Sequence, residues 1–124
     1  MAKSIARSAT LFFAGIFGVA GVASAALASH ASADPRLMAG ASAMCLAHAP
    51  ALVALYAAWP TVRTAAFAAA LLVVGTLLFA GDLAMRHAAG HGLFPMSAPT
   101  GGMLMMAGWL MVACGAFRRR TTAE

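Results

Sequence analysis

Charge is scarce in this sequence. Only 9% of its 124 residues are charged, against roughly 25% in ordinary soluble domains, so water is not the solvent for most of the chain. Carboxylates are confined to Asp34, Asp82 and Glu124, too far apart in sequence to suggest a paired acid and base. Neither a Ser/His/Asp set nor a glycine-rich phosphate loop is present, and enzyme function is not expected. Cysteine is scarce as well. Cys45 falls in the middle of one apolar stretch and Cys114 near the end of another, which makes an intrachain disulfide geometrically implausible. Both cysteines are read as packing residues.

What remains is apolar and long. Uncharged stretches run between Arg7 and Asp34, Arg36 and Arg63, Arg63 and Asp82, and Arg86 and Arg118. Each can cross a bilayer as a helix, for which about 20 residues suffice. In hydrocarbon every backbone N–H and C=O must be satisfied within the segment, so Ala/Leu/Val/Gly-rich runs of this length are expected to be transmembrane helices. The mean hydropathy of +0.88 and the 63% apolar content agree. The expected fold is all-α, an integral membrane four-helix bundle forming one transmembrane domain over 1–124, with spans near 9–29, 37–59, 64–81 and 97–117. A competing reading takes Lys3, Arg7, the apolar run from Leu11 and Ala31-Ser32-Ala33 as a secretory signal. The apolar run continues to Ala28, longer than such a core needs, so the segment is retained as the first helix.

The net charge of +5 is read through its distribution. Lys3, Arg7, Arg63, Arg118, Arg119 and Arg120 fall on one side of a four-span arrangement, Arg36 and Arg86 on the other. The positive-inside rule then places both termini in the cytoplasm. Arg118, Arg119 and Arg120 are expected among anionic lipid headgroups, a topology anchor and not a nucleic-acid contact.

Small residues pattern the helices. Gly21, Ala25 and Ser29 recur every four positions in the first helix, as do Ala14 and Gly18, the spacing that lets helix backbones approach closely in lipid. The second helix contains Pro50, which leaves the Leu46 carbonyl without its helical donor and predicts a kink. Tyr56 and Trp59 are expected as an interfacial belt. Asp82 and Arg86 are spaced to pair, and a loop is expected from His87 to Met96. Ser97 reads as the N-cap of the fourth helix, with Pro99 in its first turn. Gly101, Gly108 and Gly115 repeat every seven residues and predict a bare stripe packed against a neighbour.

Several segments carry a resemblance. Gly75-Thr76-Leu77-Leu78-Phe79-Ala80-Gly81, Ala98-Pro99-Thr100-Gly101-Gly102, the Gly108-Trp109 pair and His30 at the end of a Gly/Ala-rich first helix are similar to the small bacterial inner-membrane family catalogued as domain of unknown function 423. The resemblance covers about Leu11 to Arg120. It implies a four-helix protein of the bacterial inner membrane, with no established reaction or cofactor, and a histidine at the position of His48. This chain has Gly81-Asp82-Leu83-Ala84 where members commonly have Gly-Ser-Leu-Tyr, and Met44-Cys45 where they have a Tyr-Gln pair.

Polar residues within lipid need a reason. Counted at about 1.5 Å per residue, Ser24, His48, Thr76 and Trp109 fall in the middle third of the membrane, one on each helix. An ionisable residue at that depth is a functional candidate. The plainer reading is that neutral His48 bonds a hydroxyl or freed carbonyl and locks the second helix, and it is expected to point inward with Trp109 or Thr76 nearby. At the outer rim His30, Asp34, Asp82, His87 and His91 gather imidazoles and carboxylates, but without the tight spacing of a metal motif, and no metal or other cofactor is expected. Met103, Met105, Met106 and Met111 are read as gap-fillers. Two functions remain: a non-enzymatic packing or accessory subunit of a larger membrane complex, or a small-solute or proton carrier, as a homo-oligomer, using the site around His48.

Overall fold

A computed structural model describes residues 1–30 and 34–117. Ala31 to Ala33 and Arg118 to Arg120 lie outside the described residues, as do the signal-like motif and the headgroup contacts expected of them.

Four helices follow one another: α1 (Ala2–His30), α2 (Pro35–Ala58), α3 (Ala65–Ala89) and α4 (Ser97–Gly115). Each is long and apolar enough to cross a membrane. They run alternately up and down. Arg7 at the start of α1 meets Tyr56 at the end of α2, Thr64 before α3 lies against Gly115 at the end of α4, and Asp82 late in α3 meets Ser97 at the start of α4. Side chains on α1, α2 and α3 build the core around Leu52 and Leu72, and Met105 reaches into it from α4.

The α1–α2 contact is made by small residues. The buried face of α1 carries Thr10, Ala14, Phe17 and Gly21, the alternating four-and-three spacing of helices that wind around each other. The four-residue repeats anticipated from sequence diverge from this face: no described residue of another helix comes within 4 Å of where a Cβ on Gly18 would stand, and Ala25 and Ser29 are exposed. Gly21 does sit in the interface, where a Cβ would come 2.6 Å from Leu46 Cγ. That close approach lets Ser42 Oγ on α2 donate to the Gly21 carbonyl at 2.7 Å, a link between neighbouring helices. At the start of α1, Arg7 Nε donates to the Tyr56 carbonyl at 3.2 Å while its guanidinium lies 4.4 Å from the Tyr56 ring centroid.

The α3–α4 contact is closer still. A Cβ on Gly101 would lie 2.7 Å from the Gly75 carbonyl oxygen, and one on Gly75 would lie 2.7 Å from that of Gly101, so the two backbones touch. Gly108 faces Leu72 and Leu71, and Gly115 faces Thr64 and Val62. The stripe Gly101, Gly108, Gly115 therefore follows α3 along its length, seven residues at a step. Between α2 and α4 the helices stay apart and leave a groove lined by Ala51, Ala54, Ala58, Trp109 and Val112.

Several sequence expectations change here. α3 continues to Ala89, beyond His87, and closes on Gly90 at φ 76, whose N–H donates to the Arg86 carbonyl. It continues because the charge on Asp82 is satisfied within the protein and does not force an exit to water. Ser97 is the first residue of α4 and not its cap; the cap position is Met96 at φ 67, and the Ser97 hydroxyl is used elsewhere. α2 runs as one helical element through Pro50, a continuity that a kink at that residue does not interrupt. Trp59 belongs to the buried core and not to an interfacial belt, filling space between small-residue helices that alanine cannot fill. Cys45 is buried as a packing residue, whereas Cys114 is exposed.

Candidate functional site

His48 is brought to mid-depth by the thirteen α2 residues before it, about 20 Å of helix from Pro35. It is buried, at 4% exposure. Its Nδ1 lies 2.7 Å from the Met44 carbonyl, one helical turn back, and its Nε2 lies 3.2 Å from Trp109 Nε1 of α4. The two partners decide the tautomer. A carbonyl only accepts, so Nδ1 carries the hydrogen; an indole N–H only donates, so Nε2 is the bare acceptor. Both ring nitrogens of the neutral imidazole are occupied. The rings stand 6.0 Å apart between centroids and tilted by 51°, so this pair bridges α2 and α4 where their backbones do not meet. The carbonyl used is that of Met44, two residues before the one that Pro50 frees.

The other mid-depth residues lie elsewhere. Thr76 is fully buried and its hydroxyl donates to Met105 Sδ at 3.5 Å, a weak bond within the α3–α4 interface. Ser24 is half-buried and lines a separate cleft between α1, α2 and α3, shared with Cys45 and Thr76. The expected quartet is thus two groups: His48 with Trp109, and Ser24 with Thr76 and Cys45.

Asp82, near the bundle end where α4 starts, is the most enclosed ionisable group among the described residues, at 0% exposure. Oδ2 accepts from Arg86 Nε at 2.7 Å, while Oδ1 accepts from the Leu93 N–H at 2.9 Å and from the Ser97 hydroxyl. One carboxylate thus ties together α3, the following loop and the first turn of α4. Gly92 passes so close to Asp82 Oδ1 and Arg86 that a Cβ would collide with both. Asp34 caps α2, accepting from the Arg36 N–H at 3.1 Å. His30 is exposed at the end of α1, His87 is half-buried on the last turns of α3, and exposed His91 donates from Nδ1 to the Gly92 carbonyl. Among the described residues no three His, Cys, Asp or Glu side chains come together as a metal would require.

Sequence reasoning did not reach Ser42 or Leu93, and it named Gly75 within a resembling segment without giving it a packing role. Gly75 in particular carried a signal, since a bare position on α3 is the natural counterpart of the bare stripe on α4.

Four antiparallel apolar helices, with a buried histidine at mid-depth bonded across to a neighbouring helix, define a multi-pass membrane protein built as a helical bundle. Within that class, residues 19–102 match the family described as Protein of unknown function (DUF423), well over half of the chain, and the chain belongs to that family. The match includes His30, His48, Asp82 and Pro99 to Gly102 and ends before Trp109. No curated protein and no solved structure matches the chain.

Proposed function

We propose that this protein is a non-enzymatic packing subunit of the bacterial inner (cytoplasmic) membrane, with both termini cytoplasmic, and that it docks on a larger membrane complex. The observation that carries this reading is the saturation of His48. A proton arriving at Nε2 would turn an acceptor into a donor facing the Trp109 N–H, and the α2–α4 bridge would be lost. Mid-depth imidazole is thereby committed to the fold, whereas a proton or solute carrier needs a polar group with bonding capacity to spare. α1 supports the docking part: Gly15 and Gly18 have open space, among the described residues, where their Cβ atoms would stand, beside exposed Ile16, Val19 and Val22. A helix with such a face admits close approach by another. The orientation follows from the basic residues at one end, Arg7 and Arg63 among them.

Affinity purification of the full chain in mild detergent tests this. A stoichiometric larger partner is the expected result. A homo-oligomer with a transport activity that His48→Gln abolishes while expression holds would replace the reading with the carrier one. Reporter fusions at Glu124 and Gly90 test orientation, and external activity at Glu124 would overturn it.

A further inference from the structure

The groove between α2 and α4 has a shape and a polarity that the packing role leaves unexplained. It encloses about 340 Å³. Its walls run from Ala51 to Ala58 on α2 and from Trp109 to Ala116 on α4, about 10 Å of helix on each side. The hydrocarbon of one leaflet is about 15 Å deep, so the groove follows the acyl region of a single leaflet. Its direction is that of a lipid chain. The α2 wall is alanine at positions 51, 54 and 58, and Leu72 of α3 forms part of the lining between the helices. Trp109 closes the mid-membrane end, held there by its bond to His48.

The other end opens where the α2–α3 turn meets the end of α4, and among the described residues the charge there is basic. Val62 lines the opening and Arg63, the next residue, is exposed. The two described carboxylates, Asp34 and Asp82, belong to the opposite end of the bundle. In hydrocarbon such a space fills with apolar matter, and a basic mouth at headgroup depth selects a negative head.

We propose that this groove holds one acyl chain of an anionic phospholipid from the leaflet beside the α2–α3 turn, with its phosphate near Arg63 and its chain end against Trp109. His48 then acts as a positioning residue, fixing the indole that ends the site.

The chain contains two tryptophans, Trp59 and Trp109, so Trp59→Phe leaves a single reporter at the end of the groove. The full chain carrying that change is reconstituted in phosphatidylcholine vesicles containing equal low fractions of chain-brominated phosphatidylglycerol or chain-brominated phosphatidylcholine, and quenching of Trp109 is read. The anionic lipid is expected to quench at about fivefold lower concentration, the factor that one basic residue near the surface supplies. Arg63→Gln should reduce that preference. Ala54→Phe, which fills the groove from an exposed position, should remove it while leaving bundle stability in place. Equal quenching by both lipids overturns the proposal, because Trp109 would then report ordinary bilayer contact. Failure of both to quench also overturns it, the groove then being covered by protein. If the Trp59→Phe chain fails to fold, native mass spectrometry of the wild-type protein decides: one retained anionic phospholipid, lost in Ala54→Phe, is expected, and none retained overturns the proposal.

Discussion

His48 and Asp82 are both ionisable and both enclosed, yet the protein satisfies them in different ways. His48 at mid-depth is neutral, with one donor and one acceptor each used once. Asp82 near one end of the bundle receives three donors, one of them the guanidinium of Arg86, which is itself 47% exposed. The difference follows the solvent. At the rim a charge can be held because its counter-ion reaches water, whereas in mid-hydrocarbon a neutral ring with two bonds avoids placing a charge in lipid at all. The Asp82 knot fixes a loop and two helices; the His48 pair links two helices whose backbones otherwise do not meet.

The largest expected effect is therefore at Asp82. Asp82→Ala leaves the Ser97 hydroxyl and the Leu93 N–H without their acceptor and should cost about 3 kcal/mol, read as a lower midpoint in detergent thermal unfolding. Asp82→Asn keeps one acceptor oxygen and should cost less. Equal losses for the two would mean that the charge and its two acceptor oxygens, and not the shape of the side chain, hold the knot.

Next comes the backbone contact between α3 and α4. Gly75→Ala drives a Cβ against backbone atoms of Gly101 and Met105 and should cost about 2 kcal/mol. Gly108→Ala meets side-chain atoms alone, the movable end of Leu72 closely and Leu71 Cβ at 3.3 Å, and should cost less than about 1 kcal/mol. The reverse order, measured in the same unfolding assay, would show slack between the two backbones. At His48, Leu in place of the imidazole strands the Trp109 N–H and should cost on the order of 1 to 2 kcal/mol. His48→Gln carries both a donor and an acceptor and should cost less than about 1 kcal/mol. If Gln is as damaging as Leu, the ring itself is required and the contrast with Asp82 narrows. The smallest effect belongs to the outward face of α1, where Gly15→Ala meets open space and should change stability by less than about 0.5 kcal/mol. Co-purification of a partner is the measurement that should respond there, to Gly15→Leu.

The four helices were legible because length and apolarity are local properties, and the seven-residue glycine stripe because it is periodic. His48 was legible as an inward residue because lipid tolerates it nowhere else. The rest depends on contacts distant in sequence. Nothing near Asp82 announces that Ser97 will donate to it, so Ser97 read as a cap and α3 read as ending early. Thr76 and His48 share a depth but lie in different groups, since depth along the membrane says nothing about direction around a helix. Trp59 read as interfacial from its position at a span end, and only the packed helices reveal the volume it fills.

Most contacts in this bundle join helices adjacent in the chain: α1 with α2, α2 with α3, α3 with α4. For biogenesis this means two hairpins, each able to complete its own interface as soon as its second helix enters the bilayer, with little loop-closure entropy to overcome. Asp82 then takes up Leu93 and Ser97 within the same hairpin that carries it, and the groove beside Trp109 forms last, when the finished halves come together.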